Sequence, residues 1–301
     1  MTRKHIDTKY FFLFISPWLI GFTVFTLGPV LSSLYLSFTK YSIVEAPRWV
    51  GLLNFKAILK GYEPNFYNSV RVTVLFTLLA VPLNIIIALT AALLLNVKNI
   101  RGMSVFRTIF FLPALIPIVA STIVWAWVFH PKYGVLNQLF LMVFGAQGPN
   151  WLQDPHLALG CIVVVTIWAF GNTMMIFLAG LQGVPKVLLD AATIDGASGW
   201  HRFRNVTVPF ISPVIFFNLI IGIIGAFQVF TQAFIFTEFN GTTVAVNNKA
   251  VHFYVLNIYQ QAFENGRFGL ACALAWILLI VILSMTMIQF YFKKRWVYYN
   301  E

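Results

Sequence analysis

Gly183-Val-Pro-Lys-Val-Leu-Leu-Asp-Ala-Ala-Thr-Ile-Asp-Gly-Ala-Ser-Gly-Trp-His-Arg-Phe-Arg-Asn-Val-Thr-Val-Pro209 is a polar-leaning interruption between two apolar runs. Its punctuation is helical. Pro185 stands where a first helical residue is favoured, because its missing N–H would be unpaired there in any case. Gly196 stands where a helix ends, since glycine tolerates the left-handed turn. About three turns fit between them. Leu188, Ala191, Ala192 and Asp195 recur at i, i+3, i+4 and i+7 and share one face. Two alanines on that face let another surface come close. Ser198 is placed to cap a second short helix carrying Trp200, Arg202 and Phe203. Pro209 opens the next apolar run. The stretch predicts a helix-turn-helix exposed between two membrane spans and shaped for docking.

The flanking sequence supplies those spans. Of 301 residues, 59% are hydrophobic and only 10% charged, where a soluble protein carries about a quarter charged. The mean hydropathy is +0.82. This composition predicts an all-α polytopic membrane protein. A span needs about 20 apolar residues, and six segments qualify: Tyr10–Phe38, Tyr67–Leu95, Ser104–Phe129, Leu157–Leu181, Pro209–Phe236 and Gly269–Phe292. The 183–208 loop lies between the fourth and fifth, and residues 1–301 read as a single transmembrane domain. Pro17, Pro29, Pro82, Pro113, Pro117 and Pro213 lie within spans, where proline is tolerated and can kink the helix. The first apolar run is too long and continuous for a cleaved signal peptide.

Basic residues orient the chain. With the N-terminus inside, the inner segments hold Arg3, Lys4, Lys9, Lys98, Arg101, Arg107, Lys186, Arg202, Arg204, Lys293, Lys294 and Arg295. The outer segments hold Lys40, Arg48, Lys56, Lys60, Arg71, Lys132, Lys249 and Arg267, spread over longer loops. The bias places both termini, and the 183–209 stretch, in the cytoplasm. The net charge of +11 does not indicate nucleic acid, because these side chains flank apolar runs. The outer loops, Thr39–Phe66, His130–His156 and Thr237–Phe268, carry turn residues and aromatics. Trp49, Tyr62, Phe66, Tyr133 and Trp151 suit an interfacial belt or a docking surface for an outside partner. Two stretches, Asn205-Val206-Thr207 and Asn240-Gly241-Thr242, match the glycosylation sequon, and Asn205 falls on the cytoplasmic side.

No charged residue falls near the middle of a span, which weakens an ion-coupled transport reading. There is no Gly-x-x-x-x-Gly-Lys-Ser/Thr for nucleotide phosphates. The five histidines lack metal-ligand spacing, and Cys161 and Cys272 both sit in apolar runs as small hydrophobes. No catalytic triad stands out. Intramembrane amides are more informative, because an amide in lipid needs a partner or a water-filled cavity. Trp168 and Asn172, four apart, are expected on one face of the fourth span, with Thr173 beside them. Gln228 and Gln232 are expected on one face of the fifth, next to Thr231. Asn84 and Asn218 are further amides. Helix–helix glue explains all of these, Asn84 and Asn218 most readily. The functional alternative is a substrate path: amides hydrogen-bond hydroxyls without requiring charge, and an indole stacks on a sugar's C–H face. Phe227, Phe230 and Phe234 fit packing better than path lining.

Asp190-Ala191-Ala192, Asp195-Gly196-Ala197 and Val206-Thr207-Val208-Pro209 together resemble the EAA signature of ABC-importer permeases. That pattern is Glu-Ala-Ala, a Gly four residues after the second Ala, and Ile-x-Leu-Pro starting ten residues later. Asp190 replaces the usual Glu, keeping the charge on a shorter arm; Val206 and Val208 replace Ile and Leu. The likeness covers nearly the whole chain and is to the carbohydrate-type, maltose-importer group. Val50-Gly51-Leu52 with Asn54-Phe55, Phe106-Arg107-Thr108-Ile109-Phe110-Phe111-Leu112-Pro113, and Tyr133-Gly134-Val135-Leu136-Asn137 with Trp151-Leu152 are similar to its motifs. So are Phe177-Leu178-Ala179-Gly180-Leu181-Gln182, and Tyr259, Ala262-Phe263, Phe268-Gly269, Ala271 and Ala273. Phe236-Thr237-Glu238-Phe239-Asn240-Gly241 departs from the family's Leu-Thr-x-Gly-Gly-Pro.

The resemblance implies the first of two non-identical permease subunits in a bacterial cytoplasmic membrane. It implies two ATPase subunits that bind ATP and Mg, with no cofactor in this chain, and an extracytoplasmic binding protein that delivers a carbohydrate. Leu188, Asp190, Ala191, Ala192, Asp195, Gly196, Arg202 and Phe203 would then couple to the ATPase. Trp168, Asn172, Thr173, Asn218, Gln228, Thr231 and Gln232 would line the path. An ATP-independent transporter and a non-transporting assembly subunit remain the alternatives.

Overall fold

The computed structural model describes residues 2–97, 101–238 and 249–298. Lys98, the Asn240-Gly241-Thr242 sequon and the end of the divergent loop, Phe239–Gly241, lie outside these residues. Among the described residues the regular structure is helical apart from one pair of two-residue strands. Four helices are long and apolar enough to cross a membrane, and six spans result if each of two bent pairs counts as one.

The first expected span is α1 (Thr2–Phe22) and α2 (Gly28–Ser37), joined by a π-helical turn at Thr23–Leu27. The turn ends two residues before Pro29. Proline removes a helical N–H and crowds the carbonyl four residues back, and a π-turn absorbs both effects by lengthening the loop of backbone. The second span is one helix, α4 (Phe66–Leu95), with α3 (Leu53–Leu59) lying before it.

The third and fourth spans are broken. α5 (Met103–Phe111), a 3₁₀ turn at Leu112–Leu115 and α6 (Ile118–Val128) bend by 95°. Ile116 precedes Pro117 and is extended (ψ 128°), as the proline ring forces on its neighbour. α8 (Ala158–Trp168) and α9 (Gly171–Gln182) bend by 49° with no proline between them. There Gly171 allows the start of α9 to approach α5: a Cβ would lie 3.0 Å from the Phe110 carbonyl oxygen. Between these pairs the expected second outer loop contains its own helix, α7 (Val135–Phe144).

After α10 (Lys186–Ile194), the chain forms α11 (Gly199–Arg202), a π-turn at Phe203–Thr207 and α12 (Val208–Phe227). The second short helix is therefore not separate; it runs through a π-turn into the fifth span. That turn again ends two residues before a proline, Pro209. The fifth span breaks at Gln228–Phe230 and resumes as α13 (Thr231–Glu238). α14 (Tyr254–Tyr259), a π-turn at Gln260–Glu264 and α15 (Phe268–Trp296) complete the chain. α15 is the sixth span.

The chain divides into two compact units, one of residues 1–64 and 258–280, the other of 65–257 and 281–301. In the first, β1 (Thr39–Lys40) pairs antiparallel with β2 (Arg48–Trp49), Thr39 opposite Trp49 and Lys40 opposite Arg48. The Asn54 amide donates to the Ser37 and Thr39 carbonyls at 2.8 and 2.9 Å. Trp276 Nε1 donates to Ser33 Oγ.

In the second unit α4 is central and packs on α8, α9 and α12. Ala88, Ala91, Ala92 and Leu95 are buried at i, i+3, i+4 and i+7, a small-residue face that lets helix backbones close without a hydrophobic drive in lipid. They join Met174, Phe177, Leu178, Leu181 and Ile211 in one core cluster. A second cluster gathers Phe76, Ala80, Ile162, Ala233, Phe236 and Phe253. Two aromatics expected in a belt or docking surface pack internally. Phe66 is buried, and half-buried Trp151 donates from Nε1 to Asn137 Oδ1 at 2.6 Å. Trp49, Tyr62 and Tyr133 are exposed.

Candidate functional site

Two features of the second unit are candidates for a site: an exposed helical turn, and a largely apolar cavity with amides and hydroxyls in its wall. α10 starts one residue later than expected, with Pro185 at the cap in extended conformation (ψ 127°) rather than at the first helical position. Its C-terminus closes as the glycine anticipates. Gly196 has φ +76°; its N–H donates to the Thr193 carbonyl at 3.1 Å, and the Ala197 N–H to the Ala192 carbonyl at 2.9 Å. This pair of bonds satisfies carbonyls that a helix end leaves open. Ser198 Oγ accepts the His201 N–H at 3.3 Å, capping α11.

One side of α10 is anchored. Leu189 packs against the cluster of Met174, Phe177 and Ile211. The other side is open: Leu188, Asp190, Ala191 and Asp195 are exposed and Ala192 is half-buried. Val187, Ile194 and Trp200 are exposed as well, Ile194 at 87%. Arg202, half-buried, joins the two short helices by donating from Nη1 to Thr193 Oγ1 at 2.8 Å. Phe203, half-buried in the π-turn, meets Trp200 with the rings tilted and 5.5 Å between centroids. Asp190 has no ion-pair partner among the described residues.

The cavity, of about 340 Å³, is lined by side chains from α4, α6, α8, α9, α12 and α13. Thr173, Asn218, Gln228, Thr231 and Gln232 all line it. Gln228 and Gln232 face this one space, as their spacing in the fifth span predicts, although the regular helix is interrupted between them: Gln228 follows the last residue of α12 and Gln232 lies in the first turn of α13. Irregular backbone at membrane depth is stable where it borders such a cavity rather than lipid. Asn218, 7% exposed, donates from Nδ2 to the Val214 carbonyl of its own helix at 2.9 Å, which leaves its oxygen as an acceptor.

Trp168 and Asn172, by contrast, are separated by the 49° bend. Trp168 meets Trp125 edge-on at 5.8 Å, Asn172 is exposed, and neither lines the cavity. The sequence reading assigned Asn84 and Phe230 to packing and did not single out Thr166, yet all three line it. Asn84 carried a signal, being an amide within a span. Thr166 carried none, because a threonine in a helix bonds its own backbone, here the Ile162 carbonyl at 2.8 Å. No charged side chain lines the cavity among the described residues. Its polar lining consists of amides and hydroxyls, groups that donate to and accept from neutral hydroxyls.

The chain matches the family model of the binding-protein-dependent transport system inner membrane component over residues 66–298. It is 39% identical to a probable ABC transporter permease protein, YesP, of Bacillus subtilis strain 168, over 96% of this chain and 92% of that one. It is 32% identical to the trehalose/maltose transport system permease protein MalF of Thermococcus litoralis, over 95% of this chain and 94% of that one. A bacterial alginate ABC transporter, solved in complex with an alginate-pentasaccharide-bound periplasmic protein, has the same fold. The match has a TM-score of 0.82 at 20% identity, over 98% of this chain and 97% of that one.

Proposed function

Since the chain belongs to the family of binding-protein-dependent transport system inner membrane components, we propose that it is one permease subunit of an ATP-driven sugar importer. It forms half of a translocation path through the membrane, and residues 1–301 act as one transmembrane domain with both termini in the cytoplasm. A second permease completes the path. Two ATPase subunits, which bind ATP and Mg, dock on α10, and an extracytoplasmic binding protein delivers the sugar. This chain transports and does not itself hydrolyse ATP.

The observation that carries this reading is the cavity. Its walls are broken helices, its polar groups are uncharged, and its volume of about 340 Å³ lies within the roughly 300–1,000 Å³ usual for small-molecule sites. Uncharged amides and hydroxyls bind hydroxylated solutes without the desolvation cost of a buried charge, which favours a neutral oligosaccharide of the kind named for the Thermococcus relative. Thr173, Asn218, Gln228, Thr231 and Gln232 make the polar contacts, with Asn84 added to them.

Coupling runs through the other feature. The exposed face of α10 seats in the ATPase, where Leu188 and Ile194 supply apolar contact and Ala191 permits close approach. Asp190 pairs with a basic group, and Gly196 with Asp195 sets the turn. Arg202 and Phe203 transmit motion, because α11 continues without interruption into α12, whose end borders the cavity. A push on α10 reaches the path through two short links.

The test is ATPase activity of the purified assembly in lipid, with and without candidate binding proteins, across neutral sugars and sugar acids. Stimulation by one sugar together with its binding protein is the expected result. Failure of any ATPase to co-purify, with uptake insensitive to ATP depletion, would replace this reading with an ATP-independent transporter.

A further inference from the structure

The first unit holds a polar pocket of about 470 Å³ that the transport reading does not use. It is lined by Lys40, Tyr41, Ser42, Glu45, Asn54 and Arg267, among others. Neither Lys40 nor Arg267 has a side-chain partner among the described residues. Lys40 also stands directly opposite Arg48 in the β-ribbon. Like charges in that position destabilise a strand pair, so the ribbon keeps an electrostatic cost that an incoming anion would relieve.

The pocket is built rather than incidental. Asn54 fixes the ribbon through the Ser37 and Thr39 carbonyls. The Gly269 N–H donates to the Tyr41 carbonyl at 3.2 Å, and a Cβ on Gly269 would collide with the Thr39 carbonyl oxygen. A hydrogen-bonded chain, buried at Glu63 and Gln261, leads to Asn265 on the opposite wall: Gln261 Nε2 donates to Glu63 Oε1 at 3.1 Å, and Asn265 Nδ2 to Gln261 Oε1 at 3.4 Å. The Arg267 N–H then donates to the Gln261 carbonyl at 2.8 Å. Both cations are thus held at fixed backbone positions.

Connectivity gives its side of the membrane. The pocket's residues follow the first crossing and precede the sixth, so with both termini inside, as proposed above, they face outside. We propose that it seats a carboxylate side chain of the docked binding protein between Lys40 and Arg267, a role that rests on the import reading above. Glu45 at the same site takes a basic group of the same partner. A mixed pattern of this kind suits a protein surface of complementary charges better than a uniformly anionic membrane.

The test uses the full assembly in nanodiscs and the binding protein found to stimulate its ATPase. Association rates are measured at low and high salt for Lys40→Glu, Arg267→Glu and the conservative Arg267→Lys. Either reversal is expected to slow association about tenfold at low salt, with the difference shrinking at high salt. The half-saturating binding-protein concentration rises, the saturated ATPase rate is retained, and Arg267→Lys recovers most of the loss. Rates within about twofold of the parent at low salt would overturn the proposal, as would a slowing that persists at high salt. Competition by free galacturonate would overturn it in favour of a sugar-acid site. An unmutated assembly that no binding protein stimulates overturns the import reading too, whereas a stimulated assembly with unaffected variants overturns this inference alone.

Discussion

Gly196 is the residue on which the proposed coupling turns. Its φ of +76° and its N–H bond to the Thr193 carbonyl are both incompatible with proline. Gly196→Pro is expected to leave membrane insertion intact and to reduce sugar-stimulated ATPase activity about tenfold or more, because the strain, roughly 3 kcal/mol, falls on an exposed turn rather than on the core. Normal stimulation in that variant would remove α10 from the coupling route. In the cavity, Gln232 is 6% exposed and faces the space shared with Gln228. Gln232→Leu should lower uptake about 10- to 100-fold, equivalent to one or two hydrogen bonds to the solute. Asn172→Ala should change uptake by less than about twofold on the same scale, since Asn172 is exposed and away from the cavity. Equal losses in the two variants would contradict the cavity as the path. Residue type was a sound guide here: an amide in lipid needs polar company, and five of the polar residues singled out do meet. Helical spacing guided less well: it held for Gln228 and Gln232 but not for Trp168 and Asn172, which a bend separates.

At the scale of elements, proline announced some interruptions and was silent on others. Pro117 extends Ile116 and accompanies the 95° bend, and Pro29 and Pro209 each follow a π-turn. Pro82 and Pro213, by contrast, sit inside α4 and α12 without ending them. The breaks at Ala169–Phe170 and Gln228–Phe230 have no proline at all. They belong to packing. Gly171 shows this: a Cβ would fall 3.0 Å from the Phe110 carbonyl oxygen and 3.0 Å from the Phe111 Cα, both backbone atoms that cannot step aside. Gly171→Val should therefore cost about 1–3 kcal/mol or more from overpacking and lower the yield of folded protein. Thermal unfolding in detergent checks this, with Gly160→Ala as the control, because nothing lies within 4 Å of a Cβ there. Similar melting of the two variants would show that the α5–α9 approach is not tight.

For the whole molecule, the proposed topology makes a direct prediction. A cysteine at Ser198 should react with an impermeant maleimide only from the cytoplasmic side, and one at Tyr133, which is 80% exposed, only from outside. The buried Cys161 and half-buried Cys272 stay as background. Reversed labelling would invert the orientation argued from lysine and arginine. The sequence by itself determined the helical, multi-pass class, six spans when each bent pair counts as one, since bilayer thickness sets a length of about 20 apolar residues that hydropathy reads directly. It also determined the turn at Gly196 and the cap at Ser198, which depend on bonds between residues a few positions apart. Only the tertiary structure decided where spans break, which amides share a cavity, and that Phe66 and Trp151 pack internally. Those outcomes depend on residues distant in the chain coming together, as Gly171 does with Phe110, or as Gln232, Thr173 and Asn84 do around one cavity. Local periodicity carries no record of them, because lipid rewards close packing and satisfied backbone wherever partners supply them.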